Sequence, residues 1–108
     1  MRKIRNKQQW GNYNDISKYN YYIYMIEYIN YIKIGCTYDI LQRLSTLNIK
    51  DNKLLCCIEI CNRYEAFKLE NNIHKNLINY RYKYREYYIK DAYVYNYMYK
   101  LYLSYKND

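Results

Sequence analysis

Four side chains of this sequence have the chemistry to hydrolyse a phosphodiester bond, although they lie far apart in the chain. Tyr24, Lys33, Arg43 and Glu70 combine a hydroxyl, two cations and a carboxylate. A carboxylate can hold a divalent cation, an arginine stabilises developing negative charge, and a tyrosine hydroxyl orients or deprotonates water. A free tyrosine has a pKa of roughly 10, so Tyr24 would need a neighbouring cation, Lys33 or the metal, to act as a base.

Glu70 is the least expected of the four, because it falls on an apolar helical stripe. In segment 63–79 the stripe is formed at helical spacing by Ala66, Leu69, Ile73 and Leu77. A carboxylate facing a sheet is costly unless it is paired or binds a cation. The alternatives are a salt bridge to Arg43 or Lys33, or a side chain that reaches solvent. His74, one turn later, borders the same face.

The elements that must position these residues begin with a hairpin. Two runs rich in Ile and Tyr, residues 21–28 and 31–34, are separated by a two-residue link, which predicts antiparallel strands joined by a tight turn. The second strand is expected to stop at Gly35. Tyr24 and Lys33 are then candidates for neighbouring positions, and Tyr31 shares the strand face of Lys33.

A short helix is predicted directly after the hairpin. Ile40, Leu44 and Leu47 share one stripe, and Asp39 is the expected N-cap. Arg43 lies at the edge of this stripe, from which it can point along the sheet.

A third strand and a second helix complete the pattern. Residues 53–61 alternate, with one face formed by Leu54, Cys56, Ile58 and Ile60. The second helix, 63–79, has Asn62 as its expected N-cap and Glu65 in the capping-box position.

This order predicts an α+β fold, a small three-stranded antiparallel sheet flanked by helices. We expect a basic N-terminal arm at 1–20, a main domain at 21–90 and a tyrosine-rich helical extension at 91–108. The arm carries cations that could contact phosphate, among them Arg2, Lys3 and Arg5.

The net charge of +8 and the isoelectric point of about 9.2 make a polyanion the first partner to consider. An A/T-rich genome could produce the same Tyr, Ile, Asn and Lys bias, in which case the chain would be an interaction module without affinity for nucleic acid. No segment resembles a signal peptide or a membrane span. We expect an intracellular, reduced protein that does not enter a membrane.

Residues 80–85 alternate tyrosines with the cations Arg81, Lys83 and Arg85. As a strand, this segment would present aromatic rings on one face for stacking and cations on the other for phosphate, which suits single-stranded or distorted nucleic acid. The alternative is that the tyrosines pack on the core and the cations face water. The chain has no room for a zinc finger or helix-turn-helix, so specificity would come from DNA structure, a homodimer or a partner protein.

The order and spacing of these residues resemble the GIY-YIG endonuclease superfamily, in its compact branch common in phages and large DNA viruses. Its first motif corresponds to Tyr22-Ile23-Tyr24 and its second to Lys33-Ile34-Gly35. Arg43 stands eight residues after the motif glycine, as the family arginine does. The segment Glu65-Ala66-Phe67-Lys68-Leu69-Glu70 matches the helix that carries the family glutamate, and His74 and the later Arg85-Glu86-Tyr87-Tyr88 also look like that branch.

The resemblance implies metal-dependent cleavage of DNA. Tyr24 would assist the attacking water, Arg43 would contact the scissile phosphate, and Glu70 would bind Mg²⁺ or Mn²⁺. A phage or viral protein of this kind would act inside the host cell. Two residues depart from the motif: Tyr22 replaces its first glycine, and Lys33 replaces its second tyrosine, for which Tyr31 is a partial substitute. A nuclease-derived DNA-binding protein that no longer cleaves is the alternative function.

Overall fold

The fold is built on the hairpin, and a computed structural model describes residues 20–47 and 53–106. Strand β1 spans Tyr21–Glu27 and β2 spans Ile32–Thr37. Their link closes with a hydrogen bond from the Tyr28 N–H to the Tyr31 carbonyl at 2.8 Å. The predicted hairpin is confirmed, but β2 runs two residues beyond Gly35, because Gly35 pairs directly with Tyr24 inside the ladder.

Strand β3, Lys53–Ile60, pairs antiparallel with β1 on its other side. The register shifts between Met25, opposite Cys56, and Ile26, opposite Leu54, so that one residue of β3 is left out of the pairing. This bulge turns Leu54 to the opposite face from Cys56. The predicted strand is therefore confirmed, and the prediction that Leu54 shares the face of Cys56 is wrong.

A short fourth strand, β4, spans Tyr87–Tyr88 and extends the sheet to the order β3-β1-β2-β4. The expected strand over 80–85 does not form. A 3₁₀ turn at Ile78–Tyr80 leads into a loop, and Arg81 makes only an isolated bridge to Tyr88. The loop closes back on itself, since the Tyr82 N–H donates to the Tyr87 carbonyl at 2.7 Å.

In the described part of the chain, three α-helices pack against this sheet: α1 at Ile40–Leu47, α2 at Arg63–Asn76 and α3 at Ala92–Lys106. Both predicted caps are present. The Gln42 N–H donates to Asp39 Oδ1 at 3.1 Å, and the Glu65 N–H donates to Asn62 Oδ1 at 2.8 Å. The predicted α+β fold is confirmed, with a short fourth strand added to the three expected.

The sheet separates two apolar layers. On one face, which we call the α2–α3 face, the sheet contributes Ile23, Met25, Ile32, Ile34, Cys56, Ile58 and Ile60, and the helices contribute Ala66, Ile73, Leu77, Val94, Met98 and Tyr102. On the other, the α1 face, Tyr22, Tyr24 and Ile26 pack with Ile40 and Leu44. Helix α3 thus belongs to the main core. None of the helices in the described residues is long and apolar enough to cross a membrane.

Candidate active site

Tyr24 and Arg43 meet on the α1 face. Arg43 Nη1 donates to the Tyr24 hydroxyl at 3.2 Å, and the Tyr24 side chain is fully buried. A Cβ at Gly35 would lie 2.6 Å from Tyr24 Cζ, well inside van der Waals contact. The glycine of the second motif therefore lets the Tyr24 ring lie across β2, with its hydroxyl directed at Arg43.

The local sequence explains how Arg43 reaches this position. Only two residues, Tyr38 and Asp39, separate β2 from α1. The Asp39 N–H donates to Thr37 Oγ1 at 3.1 Å, and the Asp39 carbonyl accepts from the Arg43 N–H at 3.0 Å. The helix therefore starts over the end of the hairpin, and its first turn places the Arg43 guanidinium next to Tyr24 on β1.

Lys33 lies on the same face as Tyr24 and is held by Glu86. Lys33 Nζ contacts Glu86 Oε1 at 2.7 Å and stands 4.7 Å from the centroid of the Tyr87 ring. Burial alone would lower the pKa of Lys33, but the hydrogen bond to Glu86 and the neighbouring Tyr24 and Glu86 outweigh it, so the pKa is raised. Lys33 is therefore a permanent cation beside Tyr24.

Burial raises the pKa of the Tyr24 hydroxyl, and the charge of Lys33 and the hydrogen bond from Arg43 oppose that rise without cancelling it. Tyr24 thus keeps its proton at neutral pH. A protonated phenol that accepts from Arg43 can still donate one hydrogen bond, so its hydroxyl can orient a water molecule or a phosphate oxygen.

Glu70 belongs to a second polar group, which crosses the α2–α3 layer. His74 Nε2 lies 3.4 Å from Glu70 Oε2, and His74 Nδ1 is hydrogen-bonded to the Tyr88 hydroxyl, with the two rings stacked at 5.7 Å. Burial raises the pKa of Tyr88, and Arg81 opposes the rise through its charge and a hydrogen bond.

The chemistry of the donor groups fixes which atom donates in each of these hydrogen bonds. A guanidinium can only donate, so the Tyr88 oxygen accepts from Arg81 and its own proton goes to His74 Nδ1. A neutral His74 then carries its proton on Nε2 and donates it to Glu70. The salt bridge from Glu70 to Arg43 or Lys33, which was one of the alternatives for this carboxylate, does not form, because Arg43 contacts Tyr24 and Lys33 contacts Glu86.

We expected Tyr24, Arg43 and Glu70 to line one pocket, and the structure brings together only the first two. Helix α2 packs through Ala66 and Ile73 on the α2–α3 face, whereas Tyr24 packs on the α1 face. In the described residues, the hydrogen bonds of Glu70 lead to His74 and not to Tyr24 or Arg43.

One edge of β2 is only partly covered by its neighbour in the sheet. Strand β4 pairs with β2 only at Ile32 and Lys33, so no described strand covers this side of β2 beyond the Ile34 bond to Glu86. Cys36 lies on that uncovered stretch. Burial raises the pKa of its thiol to about 12; the charge of Glu70 adds to the rise, and Arg43 opposes it. The charges of Glu70 and Arg43 therefore both act on this edge.

The described residues do not contain a preformed cage for a metal ion: no three His, Cys, Asp or Glu side chains group together there. Mg²⁺ is usually bound by one or two carboxylates and keeps water and substrate phosphate as its other ligands. The Glu70 carboxylate, with one oxygen near His74, is a fitting donor of this kind. The four cysteines are free thiols.

The predicted DNA-contacting cations differ in their surroundings. Lys83 and Arg85 are exposed, and Arg85 Nη2 donates to Asn71 Oδ1 at 3.0 Å. Arg81 is half-buried against Tyr88, and its Nε is buried without a hydrogen-bond partner. Arg2, Lys3 and Arg5, with almost all of the predicted arm, lie outside the described residues.

Sequence reasoning missed Glu86 as part of the site. Its segment, Arg85-Glu86-Tyr87-Tyr88, stood out in the sequence only through the resemblance, because nothing in one chain reveals that residue 86 faces residue 33. The role of Tyr88 was missed for the same reason. Tyr31 was placed correctly on the face of Lys33, where it meets Tyr87 edge-on at 5.1 Å.

Residues 18–98 match the family described as the T5orf172 domain, which is most of the chain. The protein therefore belongs to the T5orf172 domain family, a nuclease-related family. No curated protein and no solved structure matches the chain.

Proposed function

We propose that this protein is a DNA endonuclease of the GIY-YIG type that hydrolyses phosphodiester bonds with the help of Mg²⁺ or Mn²⁺. The observation that carries the proposal is the contact of Arg43 with the Tyr24 hydroxyl across Gly35. A buried hydroxyl and a guanidinium held together beside a lysine have no evident use in packing a core. Membership of a nuclease-related family supports the same conclusion.

In this proposal the α1 face binds the scissile phosphate. Arg43 and Lys33 hold the non-bridging oxygens and stabilise the negative charge that grows on them during attack. The guanidinium is fixed by the Tyr24 hydroxyl before the substrate arrives, so less reorganisation accompanies the reaction. Tyr24 orients the attacking water, and its raised pKa argues against a role as the base.

Glu70 is the residue that would hold the metal. A divalent cation bound there would neutralise phosphate charge and favour ionisation of a bound water. His74, itself fixed by Tyr88, donates to one carboxylate oxygen and leaves the other for a ligand.

The two departures from the motif are compatible with this assignment. Tyr22 is buried under α1, in the layer that supports Tyr24, so its bulk is accommodated away from the reacting groups. Lys33 replaces a hydroxyl with a cation at a position on the substrate side of the sheet. Both changes leave the contact between Tyr24 and Arg43 in place.

A DNA-binding protein that no longer cleaves is the second candidate. The observation in its favour is that Glu70 sits on the helix across the sheet from Tyr24. Such a protein would keep Arg43 and Lys33 for phosphate and would have no use for a metal at Glu70.

A plasmid assay distinguishes the two. Supercoiled plasmid incubated with the protein should become nicked in Mg²⁺ or Mn²⁺ and remain intact in EDTA. Arg43→Ala should slow nicking by roughly 10²- to 10³-fold, as is usual for loss of a group that stabilises transition-state charge. Lys100→Ala, which removes an exposed cation from α3, is the matched control and should have a small effect. Plasmid that is bound but never nicked, with either metal, would favour the second candidate.

A further inference from the structure

A cluster of tyrosines lies beside Lys33 and is not explained by the reaction centre. We call it the tyrosine shelf; it consists of Tyr28, Tyr31, Tyr82, Tyr84 and Tyr87. Tyr31 stacks on Tyr28 with centroids 4.9 Å apart and on Tyr82 with centroids 5.3 Å apart. Tyr87 meets Tyr31 and Tyr84 edge-on, at 5.1 and 6.2 Å. Five rings from the hairpin and the 82–87 loop therefore form one aromatic surface.

Two of these rings, Tyr82 and Tyr84, are exposed to solvent. Tyr82 is 42 % exposed and Tyr84 is 68 % exposed. Single exposed aromatic residues are ordinary on protein surfaces, but these are held in place by their neighbours and by the loop backbone. The Tyr87 N–H donates to the Tyr84 carbonyl at 3.1 Å, and the Tyr82 N–H donates to the Tyr87 carbonyl at 2.7 Å. Because these side chains are already held in place, a ligand that stacks on them would lose little binding free energy to ordering the shelf.

Cations surround the same rings. Lys33 Nζ stands 4.7 Å from the Tyr87 centroid, and Lys83 Nζ stands 5.8 Å from the Tyr82 centroid. Flat aromatic faces interleaved with positive charge are suited to a ligand that has both bases and phosphates. An apolar protein partner would gain nothing from the lysines.

The shelf adjoins the proposed reaction centre. Tyr87 is opposite Lys33 in the β2–β4 register, and Lys33 Nζ stands 4.7 Å from the centroid of its ring. A strand whose phosphate sits at Arg43 and Lys33 would therefore have its neighbouring nucleotides over the shelf.

We infer that the tyrosine shelf binds unpaired bases of DNA next to the phosphate held at Arg43, so that the substrate class is single-stranded or branched DNA. This inference rests on the proposed function. In a continuous duplex the base faces are covered by their neighbours in the stack and are unavailable to tyrosine rings. A flap, a gap or a single strand exposes them.

Binding measured in EDTA tests the shelf separately from cleavage. A fluorescently labelled single-stranded oligonucleotide, and the same oligonucleotide annealed to its complement, are titrated with the full chain and followed by anisotropy. Wild type should bind the single strand more tightly. Tyr82→Ala should weaken single-strand binding roughly tenfold, because base–aromatic stacking is worth about 1–3 kcal/mol per base, and should leave duplex affinity within about twofold.

Three variants serve as controls. Tyr82→Phe keeps the ring and should bind like wild type. Tyr84→Ala, at the more exposed ring, should also weaken single-strand binding and is less able to disturb the fold. Tyr99→Ala removes an equally exposed tyrosine, 52 % accessible, from α3 and should change neither affinity.

Equal losses on single strand and duplex, or no loss from either shelf variant, would overturn the inference. If the shelf variants behave as expected but wild type cuts neither plasmid nor the labelled single strand in Mg²⁺ or Mn²⁺, the proposed cleavage fails and the shelf stands. If wild type nicks duplex plasmid normally but does not prefer single strands, the shelf inference fails and the cleavage stands.

Discussion

The two faces of the sheet differ in how completely helices cover them. The α2–α3 face is packed by helices of 14 and 15 residues, whose buried positions are almost all aliphatic or aromatic. Among the described residues, the α1 face is covered by one helix of eight residues, which protects β1 and leaves Lys33 and Tyr87 beyond its reach. We infer that the α2–α3 face supplies most of the stability although it also holds the polar group of Glu70 and His74, whereas the α1 face holds Tyr24, Arg43 and Lys33 under a smaller apolar layer.

The largest expected effect of a substitution on stability lies on the α2–α3 face. Ile73 is fully buried there, and Ile73→Ala should lower the free energy of unfolding by about 2–5 kcal/mol, through lost burial and the cavity left behind. Chemical denaturation of both proteins measures this difference.

The matched control is Leu41→Ala on α1, where the side chain is exposed and its loss should cost little. At a temperature where the Ile73→Ala variant remains folded, its DNA affinity should equal that of wild type. A change in affinity there would show that the two faces are not separable.

The next largest effect on stability is expected at Gly35, where the backbone lies close to the Tyr24 ring. Gly35→Ala should cost about 1–3 kcal/mol, because the new methyl group meets the Tyr24 ring. It should also reduce nicking more than the stability loss explains, since Tyr24 must move away from Arg43.

A double-mutant cycle tests this cause directly. In a Tyr24→Ala background the ring is gone, so Gly35→Ala should cost much less than it does in wild type. The same cost in both backgrounds would mean that Gly35 is required by the backbone and not by Tyr24.

The smallest effect concerns the charge on the α1 face. Glu86→Gln should free Lys33 for phosphate and tighten DNA binding about fivefold, because a unit charge near a phosphate in a solvated site is worth on the order of 1 kcal/mol. Glu65→Gln, which removes a carboxylate from the exposed start of α2, should change affinity less. Anisotropy at one fixed salt concentration is the measurement, and equal effects of the two variants would show that only net charge matters.

The elements of the fold could be predicted from the sequence because their signals are local. The two-residue link of the hairpin, the Asp39 and Asn62 caps and the apolar stripe of α2 each lie within a few residues of what they determine. The bulge near Leu54 was missed, because it depends on how β3 packs against β1. The 80–85 segment was missed because a loop closed by Tyr82 and Tyr87 overrides its alternating pattern.

The candidate site could be predicted only in part from the sequence, for the same reason. The spacing of the motifs identified Tyr24, Arg43 and Glu70 but did not indicate that Glu70 would lie across the sheet. It also gave no sign that Glu86 would neutralise Lys33 or that Arg81 would turn inward to Tyr88. Such pairings are set by tertiary packing between residues distant in sequence.

The measurement that tests the central claim most directly is plasmid nicking in Mg²⁺ by wild type and Glu70→Ala, with the melting temperature of each. We predict that wild type nicks and that Glu70→Ala does not, while the variant stays folded and melts only slightly lower, because the buried His74 loses one long hydrogen bond of 3.4 Å. DNA binding by the variant should be equal or tighter. A wild type that never nicks, together with a variant that melts far lower, would mean that Glu70 serves only to hold His74 and would contradict the account.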